Sequence, residues 1–139
     1  MTLATNGPLG LWAAAVFYMN DGFRLYFLSA GHTRHAQNMA HTPHVAGTIQ
    51  EDYAQWEKIK GMQFEGEIMR LSGTARIKAI TAYGKKYLFV TKKIPTIQKA
   101  LSKVNWYALD LTQLYLIDNS KGFGHRDEIP LTQPRHQGL

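Results

Sequence analysis

The chain contains no cysteine. That absence removes at once a disulfide framework, a zinc–thiolate site, an iron–sulfur cluster and a cysteine nucleophile. Acidic residues are scarce, 10 against 16 lysines and arginines, which gives a formal net charge of +6 and a pI near 9.6. The shortage is local. No Asp or Glu lies between Ile68 and Leu109, a stretch that carries Arg70, Arg76, Lys78, Lys85, Lys86, Lys92, Lys93, Lys99 and Lys103. Long apolar runs are also missing, so nothing reads as a bilayer-spanning helix. Leu9 to Met19 is apolar but short and has no basic flank, which does not fit a signal peptide. The expectation is a soluble cytoplasmic chain. Ser29, Ser72, Ser102 and Ser120 stand outside any G-x-S-x-G nucleophile motif.

What is present is enough apolar material for a core. Hydrophobic residues make up 45% of 139 positions, which suits one domain over 1–139 that needs no cross-link. Residues 1–5, 11–19 and 23–30 read as strands, with Asn6-Gly7-Pro8 and Asn20-Asp21-Gly22 as turns between them. Thr33 is a plausible N-cap for a short helix, 34–41, that Pro43 ends. Strands are expected over 45–50 and 62–71. In the latter Met62, Phe64, Gly66 and Ile68 alternate with Gln63, Glu65 and Glu67, so the first set is expected to fill the interior. A helix is expected from Gly73 to about Phe89 with Ile77, Ile80, Tyr87 and Leu88 inward, and a shorter one from Pro95 to about Ser102. Two further strands, 105–111 and 114–118, precede an irregular end from Asn119. Consecutive strands with short turns pair antiparallel, and closure removes exposed edges. The fold class that follows is mainly β (α+β): an antiparallel split β-barrel with a few covering helices.

The segment Phe27-Leu28-Ser29-Ala30-Gly31-His32-Thr33-Arg34-His35 carries the most chemical information. A strand ends in small polar residues, a glycine turns the chain, and a helix begins. A helix start offers unpaired N–H groups and a partial positive charge, and Ser29, Thr33 and Arg34 add donors suited to a phosphate. The same residues also fit an ordinary cap and a surface charge. Upstream, Trp12-Ala13-Ala14-Ala15-Val16-Phe17-Tyr18 sets three alanines in a strand. They leave room for a flat ring beside the backbone, or for a packed helix.

The ordered set of Leu25-Tyr26-Phe27-Leu28-Ser29, Thr33-Arg34-His35-Ala36-Gln37-Asn38-Met39, Thr42-Pro43-His44-Val45-Ala46-Gly47, Gly61-Met62-Gln63-Phe64-Glu65-Gly66-Glu67 and Arg70-Leu71 resembles the FMN-binding split barrel of the pyridoxamine 5'-phosphate oxidase-like superfamily. The ending Asp118-Asn119-Ser120-Lys121-Gly122-Phe123-Gly124 resembles a short, uncharacterised bacterial subgroup of it. The resemblance implies a homodimer with FMN at the subunit interface. It implies that Ala14, Ala15, Val16 and Phe17 line the isoalloxazine, and that Phe27, Leu28, Ser29, Thr33, Arg34 and His35 hold the ribityl phosphate. Gln63 is the residue that would reach the flavin, and Trp106 is the candidate aromatic from the C-terminal strands. The oxidase has a lysine where this chain has His35, and a glutamine where it has Gly61. Its C-terminal arginine–histidine motif for pyridoxal phosphate has no counterpart in pattern, so oxidation of vitamin B6 is not implied.

Other groupings have plainer readings. His32, His35, His41 and His44 crowd one segment without an i, i+4 pair or a carboxylate among them. Exposed histidines beside an anion site explain them, and no metal site is expected. Glu65 and Glu67 share a strand face and fit a solvated or interface edge. The basic block reads as a solvated helix face. No aromatics interleave with it as single-strand binding requires, so nucleic acid is not the expected partner. The first functional expectation is an FMN-dependent oxidoreductase of unknown substrate. The alternative is a non-enzymatic carrier of flavin or haem, with a basic nucleic-acid- or membrane-associated protein behind both.

Overall fold

The computed structural model describes residues 1–132. Its elements run β1 (Thr2–Thr5), β2 (Trp12–Ala15), β3 (Met19–Asp21), β4 (Arg24–Ala30), α1 (Arg34–His41), β5 (His44–Gln50), β6 (Lys60–Arg70), α2 (Gly73–Lys86), α3 (Pro95–Ser102), β7 (Val104–Asp118) and β8 (Arg126–Glu128). Every strand pairing is antiparallel, and the sheet order is β2-β1-β5-β6-β7-β4-β3, with β8 on β7. The two outermost strands, β2 and β3, are consecutive in the chain and joined only by Val16, Phe17 and Tyr18. A linker that short spans at most about 15 Å. The sheet must therefore curl until its two edges nearly meet, which gives the expected mainly β, barrel-like architecture.

Curling divides the apolar side chains into two layers. Inside lie Leu3, Leu25, Phe27, Val45, Phe64, Tyr107, Leu109 and Leu114, closed by Ala36 and Met39 of α1, with the Phe27 and Tyr107 rings stacked at 5.2 Å. Outside, α2 covers the sheet through Ala79 and Tyr83, which pack with Met19, Leu71, Val90, Trp106 and Ala108. Strand β7 runs between the layers, so Trp106 to Leu109 are buried on both faces.

Several sequence expectations need correction. The run 11–19 is two strands at opposite ends of the sheet order, because the chain crosses the barrel seam at Phe17, which is 71% exposed. The strands 105–111 and 114–118 are one. The Thr112–Gln113 break is a bulge, where Glu65 faces Gln113 while Gly66 faces Leu111. Helix α2 stops at Lys86, before a short 3-10 turn at Leu88–Val90. Its buried face is Ala79, Tyr83 and Gly84, whereas Ile77 and Leu88 are exposed. Ile80 and Tyr87 pack inward as expected, beside the small Ala79 that lets the helix approach the sheet. Met62, expected inside with Phe64, is 41% exposed near the open end of β6. Strand β8 falls in the segment expected to be irregular. Its residues Arg126, Asp127 and Glu128 carry no apolar alternation. The end of that segment lies outside the described residues.

One close approach in the core is testable. A Cβ at Gly47 would overlap the Phe64 ring and come within 2.7 Å of the Thr2 carbonyl oxygen of the neighbouring strand. Gly47→Ala is expected to destabilise the chain by about 1–3 kcal/mol, as overpacking does. Urea unfolding followed by circular dichroism measures it, and an unchanged midpoint would contradict the packing described.

Candidate functional site

At the start of α1 three side chains converge. Ser29 Oγ lies 2.6 Å from His35 Nε2 and 3.0 Å from Thr33 Oγ1, and Thr33 Oγ1 is 3.3 Å from the same imidazole nitrogen. Local sequence explains the arrangement. Ser29 ends β4 pointing inward, residues 30–33 make the turn, and Thr33 caps the helix by accepting from the Ala36 N–H at 3.3 Å. Thr33 donates its own hydroxyl to the Ala30 carbonyl at 2.9 Å. By helix geometry the N–H groups of Arg34 and His35 have no intrahelical acceptor. Burial holds the His35 imidazole below its ordinary pKa of 6.5, so it is neutral near pH 7.

Arg34 does more structural work than its charge suggested. Its guanidinium donates to the carbonyls of Leu9 and Leu11 and lies over the Trp12 ring at 4.7 Å. Its Nε is buried and unpartnered among the described residues. The next turn of α1 places Asn38, fully buried, where its amide donates to Thr5 Oγ1 at 3.2 Å and the Gly10 carbonyl at 3.0 Å. Together they lash the 6–11 turn and the start of β2 to the helix. Strand β2 is an edge: Ala13, Ala14 and Ala15 pair with β1 alone, so alternate main-chain groups on its other side have no strand partner. Val16 is tied to Met1 through both backbone groups, and Phe17 stands out at the seam.

The remaining candidates lie elsewhere. Phe27 is in the barrel core and Leu28 packs on the opposite face, in the outer layer. Trp106 pairs with Leu28 across the ladder but is only 2% exposed, its ring edge-on to Tyr83 at 5.3 Å. Gln63 is exposed and lines a cleft of about 380 Å³ with Gln50, Glu51, Tyr53, Lys60 and Ile117. Within one chain it is remote from Ser29. Gln63 faces Tyr115 and Ser29 faces Asn105 on the same strand β7, roughly 30 Å of extended backbone apart. The structure thus brings together Ser29, Thr33 and His35, ties the adjacent Arg34 guanidinium to Leu9, Leu11 and Trp12, and leaves Gln63 and Trp106 out.

The histidines disperse. His44 on β5 sits between two carboxylates of β6, Nε2 at 3.1 Å from Glu65 and Nδ1 at 3.3 Å from Glu67. Hydrogen bonds from the imidazole to Glu65, and then to Glu67, raise its pKa above 6.5. Only the cross-strand register, His44 opposite Glu67, could have revealed this clamp. No group of three metal-type side chains is found among the described residues. No helix among them is long and apolar enough to cross a membrane.

Comparison with known proteins places these features in a family. No family model matches the chain. A UPF0306 protein of Photorhabdus laumondii is 33% identical over 129 residues, covering 91% of this chain and 83% of its own. A UPF0306 protein of Yersinia pestis is 31% identical over 128 residues, covering 91% and 81%. Among solved structures, Campylobacter jejuni ChuZ superposes with a TM-score of 0.72 at 16% identity over 94% of this chain and 53% of its own. Vibrio cholerae HutZ, described as a haem storage protein, gives 0.67 at 18% identity over 81% and 82%. A putative pyridoxamine 5'-phosphate oxidase of Listeria innocua gives 0.60 at 16% identity over 81% and 83%. These similarities establish the split-barrel fold.

The two perturbed imidazoles give opposite pH signatures. His35, with its folded-state pKa depressed, favours folding fully above pH 6.5. That contribution falls as pH drops from 6.5 through the lowered value. His44, with its pKa raised, contributes fully below 6.5 and loses the contribution as pH rises through the raised value. In an NMR titration of the imidazole protons, His35 is expected to titrate below 6.5 and His44 above it. The reverse order would contradict the environments described.

Proposed function

The chain belongs to the UPF0306 family, and from that premise we propose that it binds FMN, with the ribityl phosphate held at the start of α1. The observation that carries the reading is the mutual contact of Ser29, Thr33 and His35 at a helix N-terminus whose first residue is Arg34. The donor set fits a phosphate. Thr33 gives its hydroxyl hydrogen to the Ala30 carbonyl, so the Ser29 hydroxyl donates to Thr33 Oγ1 and would turn from it to a phosphate oxygen, and the Arg34 and His35 N–H groups add two more donors. The buried Arg34 Nε lacks a partner that an anionic oxygen would supply. The exposed, half-unpaired alanine strand β2 suits a flat ring that hydrogen-bonds to main chain. Bound FMN would supply hydride or electron transfer. The chain's residues would bind it, orient it and keep a neutral imidazole beside its phosphate.

The same surface supports a second reading, a haem carrier. The likeness to HutZ and to a haem-binding protein of Mycobacterium smegmatis favours it, and His32 and His41 are exposed at the two ends of α1. Titration separates the readings. FMN is expected to bind more tightly than riboflavin. Arg34→Ala, which removes a charge-assisted donor, is expected to weaken FMN by about ten- to a hundredfold and riboflavin little. Flavin fluorescence reads both. Equal affinity for the two flavins, together with a tight 1:1 haemin complex, would replace the FMN reading with the carrier.

The site is also proposed to be shared within a homodimer. A ring laid on β2 needs a second surface, and Gln63 reaches no Ser29 cluster of its own chain. A twofold partner would supply both needs with one patch used twice. Light scattering across a dilution series, with and without FMN, is expected to show a dimer. A stable monomer that binds FMN tightly would refute the shared site.

A further inference from the structure

We propose that a cleft between the start of α2 and the end of α3 is a second anion site, taking a small ligand that carries a diphosphate or two adjacent phosphate groups. The inference does not rest on the FMN reading. The cleft encloses about 500 Å³ and is lined by Arg70, Ser72, Arg76, Ser102, Lys103 and Asn105 around the backbone of 71–73 and 104–106. Its size lies within the range of small-molecule sites, but its wall is polar where such sites are usually apolar. Three cations and two hydroxyls on one wall select an anion.

Three observations make the charge unusual. Arg70, Arg76 and Lys103 form no ion pair among the described residues. No carboxylate occurs from Ile68 to Leu109, the whole span from which the cleft is built. The helix that opens into the cleft has no acidic residue in its first turn, and its N-cap residue Ser72 makes no side-chain capping bond. Position 73 is glycine with a φ of 54° and nothing within 4 Å of a Cβ built there, so the backbone is open to approach. Arg76 lies one turn further and is half-buried, which limits its freedom more than that of a surface lysine. A concave wall favours a compact ligand over a polymer, because the cations surround one space instead of tracking along a line. No exposed aromatic lines the cleft, since Trp106 is buried, and base stacking has no platform. Asn105 faces Ser29 across the β4–β7 ladder, so the two anion positions are neighbours with separate donors.

The test is calorimetric titration of the full chain with inorganic pyrophosphate, with chloride at matched ionic strength as the blank. Pyrophosphate is expected to bind, and the Arg70→Gln/Arg76→Gln pair to weaken it by about tenfold or more, as loss of charge-assisted donors does. The exposed single variant Lys103→Gln should weaken it in the same direction, which keeps the test open if the pair does not fold by circular dichroism. Lys93→Gln, outside the cleft, should change nothing, and binding should persist in Arg34→Ala. Unchanged affinity in the cleft variants overturns the proposal. So does loss in Arg34→Ala alone, which would assign the anion to the Ser29 cluster. Displacement of pyrophosphate by a short oligonucleotide, with equal sensitivity to Lys93→Gln, would replace the small ligand with nucleic acid.

Discussion

The candidate site hangs on one buried amide. Asn38 is a wholly buried polar side chain in a helix of eight residues, and its partners, Thr5 and Gly10, belong to the turn between the first two strands. A buried amide of this kind gains little net stability, about 0.5–1.5 kcal/mol per bond, but leaving its partners unmatched costs more. Its effect is therefore one of position. Gly7 packs so closely on Asn38 that a Cβ there would lie 2.8 Å from the Asn38 Cα. Arg34, one turn earlier on the same helix, grips the carbonyls of Leu9 and Leu11 and the Trp12 ring. Helix and turn are thus one body. The Ser29–Thr33–His35 cluster at one end of α1 and the open edge of β2 at the other side of the turn keep a fixed relation through it.

Strand β7 is the second constraint. It pairs with β6, β4 and β8, and its centre is buried on both faces. A strand with apolar residues on both sides cannot sit at a solvated surface, so α2 must cover one face while the other fills the barrel. The extra residue at the Glu65–Gly66 bulge lets so long a strand bend with the curled sheet. The same length separates Gln63 from Ser29 within one chain.

Much of this was legible in the residues, and what was not has physical causes. Thr33 and Pro95 announced α1 and α3 through capping and N1 geometry, and Gly22, at a φ of 57°, marked the β3–β4 turn. Alternation placed Phe64 and Gly66 correctly. It failed at Met62 because the barrel ends before the strand does. The split of 11–19 into two strands could not be read, since both halves are apolar and only closure of the sheet separates them. The face of α2 was read in part: Ile80 and Tyr87 pack inward, but Ala79 and Gly84, which bury by being small, were missed. At the site, local sequence showed Ser29, Thr33 and His35 as neighbours around a turn. The anchoring of Arg34 to Leu9 and Leu11, and the grip of Glu65 and Glu67 on His44, are contacts 21 to 25 positions apart and depend on register.

Charge is distributed unevenly over this small barrel. Five of the ten carboxylates, all of which lie outside residues 68–109, are in ion pairs: Asp110 with Arg24, Asp118 with Lys60, Asp127 with Lys121, and Glu65 and Glu67 with His44. These pairs are largely exposed and add little stability. They do neutralise the opposite faces of the sheet. Residues 68–109 carry nine lysines and arginines and no carboxylate, so the positive surplus lies on α2, α3 and the strand ends between them. At the start of α1 the site chemistry is different in kind: a neutral imidazole and two hydroxyls, with one guanidinium already tied to backbone. Such a site discriminates by geometry, because its donors are fixed by the fold. The proposed cleft beside α2 would attract by field, with three cations and no carboxylate to quench them. Each proposed site would hold its own ligand, and mutations at the two should differ in their dependence on salt: weak at Ser29, steep at Arg70 and Arg76.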